Sequence, residues 1–152
     1  MNIHELITRP DLIQNKKLHK KFLQFDLLIK ELNNKELPDA IIDTINNHIH
    51  KINSISASEK ELNIQLRKSR LSILKLVEKE LQLVAKNHYR NRYLGIGIAL
   101  GVAVGGALGS GSGNHSLIGL GLPLGMAIGI AYGTKLDNKA KEEGKQLNLE
   151  LR

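Results

Sequence analysis

Two histidines and two glycine clusters are the residues of this chain whose types could support chemistry. His48 and His50 could bind a metal ion, but residues two apart point to different faces of a helix, which favours surface histidines over a metal pair. "GIG", at Gly95 to Gly97, continues to leucine rather than glycine at position 100, which excludes a dinucleotide-binding fingerprint. "GIAYGTK", ending at Lys135, lacks the Gly-Lys-Thr order of a phosphate loop. The sequence therefore predicts no catalytic, cofactor-binding or metal-binding residues and no enzyme.

Cysteine chemistry is excluded outright, because the 152 residues contain no cysteine. Disulfides, thiolate metal sites, a cysteine nucleophile and a lipid-anchored N-terminal cysteine are all ruled out. Charges interrupt every apolar stretch of "MNIHELITRPDLIQNKKLHKK", so a cleavable signal is not predicted. We expect the first 90 residues to stay on the side where they are made.

Charge divides the chain into three parts. Residues 1–92 carry 17 Lys or Arg against 11 Asp or Glu, residues 93–134 carry none of either, and residues 135–152 carry five against four. Thirteen of the 14 glycines lie in the uncharged part, and residues 1–92 have none. This distribution predicts a three-part chain and implies two different environments.

Apolar spacing predicts three helices in the first part, at about 11–33, 38–53 and 58–92. Apolar residues recur at steps of three and four, the pattern of helices that pack on other helices, as in a coiled coil. The stripes are Leu18, Phe22, Phe25, Ile29 and Leu32, then Ile42, Ile45, Ile49 and Ile52, then Leu62, Leu66, Ile73, Val77 and Val84. We predict an all-α fold, with an N-terminal bundle or hairpin ending in a long third helix.

Two serines mark the start of the third helix. Ser56 with Glu59, and Ser58 with Glu61, each match a capping box. No glycine or proline follows until Gly95, so the helix is predicted to run on to residue 92.

Eight glycines recur every four residues in the uncharged part. Each costs about 0.5 to 1 kcal/mol relative to alanine in a helix in water, so their spacing requires another solvent or a close neighbour. Helices in a bilayer associate through close backbone approach at small residues, which favours helix packing in lipid. These packing glycines are Gly97, Gly101, Gly105, Gly109, Gly121, Gly125, Gly129 and Gly133.

Two apolar runs, 93–109 and 117–133, carry these glycines. Each run of 17 residues would span about 25 Å as a helix, at the short end of what crosses a hydrocarbon core of about 30 Å. The polar, uncharged turn at 110–116 joins them. The sequence therefore predicts a two-helix transmembrane hairpin followed by a charged cytoplasmic tail, 135–152.

Basic residues flank the hairpin at both ends, whereas the connecting turn has none. The positive-inside rule then places both termini in the cytoplasm and the turn outside the inner, cytoplasmic membrane. Tyr89, Tyr93 and Tyr132 fall where interfacial aromatic residues belong. The flanking basic residues are Lys86, Arg90 and Arg92 before the hairpin, and Lys135, Lys139 and Lys141 after it.

An antiparallel hairpin suggests a register for the glycines. Pairing Gly97 with Gly133 and Gly101 with Gly129 centres the hairpin on His115. The stripe could instead meet another copy of the chain, and Gly95, Gly106 and Gly119 leave a second small face for that purpose.

The two four-spaced glycine runs, joined by a short polar turn and closed by a lysine-rich tail, resemble the glycine-zipper hairpins of small bacterial membrane proteins. The resemblance covers residues 93–141 and implies a membrane location and tight helix packing. Some proteins of this kind are self-assembling toxins. Residues 1–92 resemble no family that we can name.

The basic surface of residues 1–92, with "NKKLHKK" from Asn15 to Lys21, could face solvent, nucleic acid or anionic lipid head groups. Lipid is the nearer partner, because basic side chains beside a membrane gain about 1 kcal/mol each. Nucleic acid is the less favoured partner. A protein partner, if there is one, is not identified by the sequence.

Two membrane functions follow from the sequence. The favoured one is a non-enzymatic integral membrane protein, in which the hairpin anchors and oligomerises a cytoplasmic helical interaction module. The alternative is a membrane-perturbing, holin-like or toxin-like pore, which the lack of polar residues between Tyr93 and Gly109 disfavours. A soluble arrangement, with the glycine helices buried in an oligomer, is a third and weaker possibility.

Overall fold

The structure is a computed structural model that describes residues 2–7, 9, 12, 14–55, 58–113 and 116–150, with the backbone alone at Leu117 and Ile118. The described part is mostly helical, which confirms the predicted all-α character, although it also contains two short strands. In chain order the elements are α1 (Lys16–Asn33), α2 (Asp39–Asn53), α3 (Glu59–Leu81), β1 (Val84–Lys86), α4 (His88–Ser112), α5 (Ser116–Glu142) and β2 (Gln146–Glu150).

The chain forms two compact units. The first unit contains the residues up to Val84 together with Leu147–Leu149, and the second contains Ala85–Gln146 and Glu150. The predicted division at residues 92 and 135 follows charge, glycine content and apolar runs, and it concerns placement relative to a membrane rather than compactness, so it stays a prediction.

The first unit is built on α3, which packs against both α1 and α2. The predicted stripes of α1 and α2 are buried, including Phe25 and Ile45, so the apolar spacing located this core correctly. Asn15 caps α1 by accepting the backbone N–H of Leu18 at 3.1 Å. The helix begins at Lys16 rather than at residue 11; Pro10 and Asp11, on which that start was predicted, lie outside the described residues.

The third helix is shorter than predicted. Ser58 caps α3, because its Oγ accepts the Glu61 backbone N–H at 3.2 Å, as the second capping box predicts. Ser56 lies outside the described residues. The helix ends at Leu81, where Gln82 adopts left-handed backbone angles and the Leu83 N–H donates to the Val77 carbonyl. The Gln82 N–H also donates to the Glu78 carbonyl, the bond of an αL helix ending, here without glycine, so the sequence carried no stop signal for it.

The predicted charged tail is partly a strand. β2 pairs with β1 in a two-stranded sheet. Leu147 and Leu149 alternate with exposed residues and are buried, and the Asn148 N–H donates to Glu31 Oε2 at 3.0 Å. The sequence predicted a charged tail here without a strand, and the structure adds that two leucines of the five-residue strand are buried where it pairs.

Candidate membrane hairpin

Helices α4 and α5 pack against each other along the second unit. Both extend beyond the predicted runs: α4 from His88 to Ser112, and α5 from Ser116 to Glu142. The predicted turn at 110–116 is correspondingly shorter, since α4 continues to Ser112 and ends at the left-handed Gly113. The Ser112 hydroxyl donates back to the Leu108 carbonyl at 2.6 Å, which satisfies a backbone group at this helix end.

Glycines fill the contact between the two helices. A Cβ added at Gly101 would meet the carbonyl oxygen of Gly121 and lie 3.1 Å from the Cα of Gly125. A Cβ added at Gly97 would meet the carbonyl oxygen of Gly125 and lie 3.1 Å from the Cα of Gly129. The backbones are thus closer than any side chain would allow. The buried glycines of α4 are Gly97, Gly101, Gly105 and Gly109.

The observed register is displaced from the predicted one. Gly97 lies between Gly125 and Gly129 instead of opposite Gly133, a shift of one to two helical turns. Gly133 instead faces the backbone of Tyr89 and Arg90. The predicted register assumed a symmetric turn centred on His115, a residue outside the described part. α4 ends at Ser112 and α5 begins at Ser116, so the break between the helices lies within the predicted turn and the difference concerns the pairing of the glycines alone.

The surface away from the glycine contact is apolar and exposed. Leu100 is 60% exposed and Leu120 is 64% exposed, and they belong to a row of exposed apolar side chains rather than standing alone. No charged residue lies between Tyr93 and Ser112 or between Ser116 and Thr134. The exposed large apolar residues of the hairpin include Ile96, Leu100, Val102, Val104, Leu108, Leu120, Leu122, Leu124 and Ile128.

Asp137 closes the open end of the hairpin. Its carboxylate accepts the backbone N–H groups of Tyr89 at 3.1 Å and Arg90 at 2.9 Å, in the first turn of α4. The residue that precedes α4, Asn87, has left-handed backbone angles and makes no side-chain cap of its own. Asp137, only 6% exposed, therefore caps a helix to which it does not belong, and its charge complements the positive end of that helix.

Aromatic rings gather at the same end. Tyr93 of α4 and Tyr132 of α5 meet edge to face with ring centroids 4.8 Å apart, and His88 contacts Tyr89 at 5.1 Å. Tyrosine prefers the boundary between apolar and polar surroundings. The tyrosines, together with the Asp137 cap, mark where the apolar part of the hairpin ends.

The predicted basic residues lie on β1, α4 and α5 at this end of the hairpin. Lys86 is exposed in β1, Arg90 and Arg92 are exposed in the first turns of α4, and all three lysines after the hairpin lie on α5. Of these lysines, Lys139 lies 3.8 Å from Glu143 in an exposed i,i+4 pair. Such an exposed pair is worth little in water.

The histidine pair does not form a metal site. His48 is half-buried, with Nδ1 3.0 Å from Ser69 Oγ, which also accepts a hydrogen bond from Gln65 Nε2 at 3.0 Å. His50 is exposed on another face of α2. The expectation of a surface residue is correct for His50 and wrong for His48, because α3 covers one side of that ring. Among the described residues, no group of three His, Cys, Asp or Glu could hold a metal ion.

A pH dependence of stability follows from His48. Burial, followed by the charge of Lys51, lowers the pKa of His48 below its ordinary value of 6.5. The unfolded chain therefore takes up a proton first, so the stabilisation is full above about pH 6.5 and declines as the pH falls through the lower folded pKa. We expect the thermal midpoint to drop from pH 7.5 to 5.5 by more in the wild type than in His48→Gln. The corresponding difference in the free energy of unfolding should be below about 1 kcal/mol, since the His48 ring is partly solvated.

His50→Gln is the matched control, since it removes a histidine from the same helix without touching Ser69. Thermal unfolding of both variants and the wild type at the two pH values shows how much of the pH dependence comes from His48. Identical pH dependence in all three proteins would show that burial of His48 does not contribute.

Comparison with known proteins leaves the chain unassigned. No protein family, no curated protein and no solved structure matches it. Within the described residues, one helix, His88–Ser112, is long and apolar enough to cross a membrane.

Proposed function

We propose that this protein is a non-enzymatic integral membrane protein, in which α4 and α5 form a glycine-zipper hairpin that anchors a cytoplasmic helical interaction module. The observation that carries the proposal is the exposed apolar surface of the hairpin. A soluble monomer does not maintain so large a leucine-rich surface, whereas lipid solvates it at no cost. Bacterial glycine-zipper membrane proteins are the class that it resembles.

The helix lengths support a spanning hairpin. The charge-free stretch of α4, residues 93–112, contains 20 residues and measures about 30 Å, the thickness of a hydrocarbon core. The corresponding stretch of α5, residues 116–134, contains 19 residues. Both exceed the 17 residues of the predicted runs, because helix continues into the polar turn. The proposed span is therefore less marginal than the apolar runs suggested.

The charges and rings at the open end support the orientation. Basic residues and tyrosines lie at this end, and the turn end of the described hairpin carries neither. Both termini are accordingly proposed to face the cytoplasm, beside the anionic head groups of the inner membrane.

Self-association is the second part of the proposal. Gly95, Ala99, Ala103 and Ala107 form another four-spaced stripe on α4, and all four are exposed. This stripe is offset by two residues from the buried glycines, which places it on the opposite face of the helix. A second copy could pack there against small side chains, with the backbones further apart than at the glycine contact with α5 because three of the four residues are alanines. Polar side chains are absent from α4 between Tyr93 and Leu108, which favours this dry packing over a water-filled pore.

Single cysteines test the topology, because the wild type has none to interfere. We would label Lys60→Cys, Ser112→Cys and Lys141→Cys in intact cells with a membrane-impermeant maleimide. The proposal expects labelling of Ser112→Cys alone, with the other two reacting only after the membrane is opened. Resistance of the protein to carbonate extraction is expected as well. Release by carbonate, or equal labelling at all three positions, would contradict the proposed hairpin.

A further inference from the structure

The outward sides of α1 and α3 carry two matching rows of basic and apolar residues. Each row advances by four, three and four residues, so it follows one side of its helix. All eight side chains are exposed, and the four apolar ones are between 46% and 52% exposed. The rows are Lys16, Lys20, Leu23 and Leu27 on α1, and Lys60, Ile64, Arg67 and Leu71 on α3.

Each row lies opposite the buried side of its helix. Leu23 and Leu27 are both two residues from Phe25, which is fully buried, and two residues correspond to about 200° around a helix. Leu71 is likewise two residues from Ser69, which is buried and contacts His48 of α2. Neither row therefore belongs to the core of the first unit.

Hydrogen bonds between α1 and α3 show that the two rows are in register. Three side-chain bonds of 2.7, 2.8 and 2.9 Å join the helices, and these are Asn15 to Glu59, Lys21 to Asn63, and Arg70 to Gln24. The partners are 44, 42 and 46 residues apart, so the helices run parallel with a nearly constant offset. An offset of 44 also relates the two rows, from Lys16 and Lys60 to Leu27 and Leu71.

The two rows form one surface. Lys21 and Gln24 each follow a row residue of α1, whereas Asn63 and Arg70 each precede a row residue of α3. One residue corresponds to about 100° around a helix, and on parallel helices these opposite shifts point toward each other. The hydrogen-bonded groups therefore lie between the rows. We call the eight row residues together the α1–α3 face.

Positive charge dominates the α1–α3 face. Residues 16–25 contain four lysines, residues 62–77 contain four Lys or Arg, and neither stretch contains Asp or Glu. Lys21 and Arg70 add two cations between the rows. The carboxylate of Glu59, in the first turn of α3, lies at one end of the face and is hydrogen-bonded. An anionic surface therefore complements this face.

We propose that the α1–α3 face docks on an anionic phospholipid surface. Exposed leucine and isoleucine side chains lie among the cations, a mixture that inserts shallowly between lipid head groups while its charges contact the phosphates. Nucleic acid suits the face less well, because these apolar side chains donate no hydrogen bond to a phosphate or a base. Stacking is not available either, since Phe22 and Phe25, the only Phe, Tyr or Trp before Tyr89, are buried.

This inference rests on the proposed membrane function in one respect, because the hairpin anchor would keep the α1–α3 face within reach of lipid. A tethered group binds at an effective concentration of the order of millimolar, so weak affinity for lipid is sufficient. Docking then depends on the anionic lipid content of the membrane and on ionic strength. It would hold the first unit on the head groups rather than free in the cytoplasm.

A dye on the face tests docking. The full chain with Ile64→Cys would carry an environment-sensitive NBD group, in nanodiscs of phosphatidylcholine alone or mixed with phosphatidylglycerol. We expect the NBD emission to rise and shift to the blue only when phosphatidylglycerol is present. Asn47→Cys, at an exposed position of α2, is the control and should show no change. An unchanged emission at Ile64→Cys in both lipids would overturn the proposal.

Charge variants show whether this face makes the contact. With the dye kept at position 64, Lys20→Gln and Arg67→Gln should each lower the ratio of docked to free chain about fivefold, the contribution of one basic side chain near a membrane. Lys51→Gln removes the same charge from α2 and is the matched control. It should change the ratio less than about twofold, because salt screens a distant charge. Equal effects of Lys20→Gln and Lys51→Gln would contradict docking through the α1–α3 face.

An apolar variant separates lipid from nucleic acid. Leu27→Ser should lower the ratio of docked to free chain by about three- to tenfold, because an inserted leucine is lost. Binding of a fluorescein-labelled DNA duplex by the chain in phosphatidylcholine nanodiscs is followed by anisotropy and should be weak. Tight DNA binding that Arg67→Gln weakens, with docking on lipid that Leu27→Ser leaves unchanged, would overturn the proposal in favour of nucleic acid.

The hairpin anchor has its own readout in this experiment. Retention of the chain in phosphatidylcholine nanodiscs during size-exclusion chromatography reports the anchor, whereas the dye reports the α1–α3 face. A chain that leaves these nanodiscs but responds to phosphatidylglycerol would contradict the anchor and support the face. A chain that is retained without any dye response would contradict the face alone.

Discussion

Gly101→Ala is expected to destabilise the pairing of α4 with α5, whereas Gly106→Ala, five residues along the same helix, is expected to stabilise it or leave it unchanged. A Cβ at Gly101 would meet the carbonyl oxygen of Gly121, and neither backbone can yield without opening the contact. Overpacking of this kind costs about 1 to 3 kcal/mol. At Gly106 nothing lies within 4 Å, so alanine brings only its better helix propensity, about 1 kcal/mol.

Thermal unfolding of both variants in lipid nanodiscs, followed by circular dichroism, shows whether each substitution lowers or raises the stability of the helix pair. Gly101→Leu should have a larger effect than Gly101→Ala. Loss of stability of equal size at Gly101 and Gly106 would indicate that glycine matters for helix flexibility rather than for backbone contact.

The register is tested by combining substitutions. Gly101 and Gly125 are neighbours across the contact, whereas Gly101 and Gly129 are the pair that a turn centred on His115 would require. Residues that share a contact have non-additive effects. Gly101→Ala with Gly125→Ala should cost less than the sum of the two single changes. Gly101→Ala with Gly129→Ala should come closer to additivity, and the reverse ranking would contradict the observed register.

Removal of the Asp137 carboxylate is the second large effect that we expect. Asp137→Ala leaves the N–H groups of Tyr89 and Arg90 without their acceptor and removes a negative charge from the positive end of α4. Loss of a charged, largely buried hydrogen-bond partner costs about 1 to 3 kcal/mol. Amide hydrogen exchange at Tyr89 and Arg90 should accelerate by about five- to a hundredfold, since each 1.4 kcal/mol corresponds to a factor of ten.

Asn138→Ala is the matched control for this cap, because Asn138 is the exposed neighbour on the same helix. Asp137→Asn should fall between the two, since a carboxamide offers one acceptor oxygen where the carboxylate offers two. If exchange at Tyr89 and Arg90 were the same in all three variants, the cap would have no energetic role.

Residue spacing within single helices predicted the buried faces of α1 and α2, the start of α3 and the contact between α4 and α5. The apolar periodicity of α1 and α2 identified their buried faces, and the Ser58 and Glu61 pair located the start of α3. The glycine spacing identified which residues bring α4 and α5 together. These features succeed because a helix repeats every 3.6 residues, whatever surrounds it.

Contacts between distant residues were not predictable in the same way. The end of α3 depends on Gln82 in a left-handed conformation, which glutamine rarely adopts. The nearest residue of a type that commonly adopts this conformation is Asn87, beyond the end of the helix. The sequence analysis treated Asp137 as one charge of the charged tail, although it is the only acidic residue between Glu80 and Glu142. Asn46 and Asn53 hydrogen-bond to the backbone of residues 2–7, and backbone atoms have no sequence signature.

The Asp137 cap also fixes an order of events during synthesis. The two N–H groups that it accepts precede it by 47 and 48 residues, so the ribosome completes α4 well before the residue that caps it. At about 5 to 20 residues per second, this interval lasts roughly 2 to 10 seconds. Throughout that time the first turn of α4 must find other acceptors, such as water. The capped form of this turn exists only after the whole of the apolar part of α5 has been made. The cap can therefore form only in a chain that already contains both helices of the hairpin.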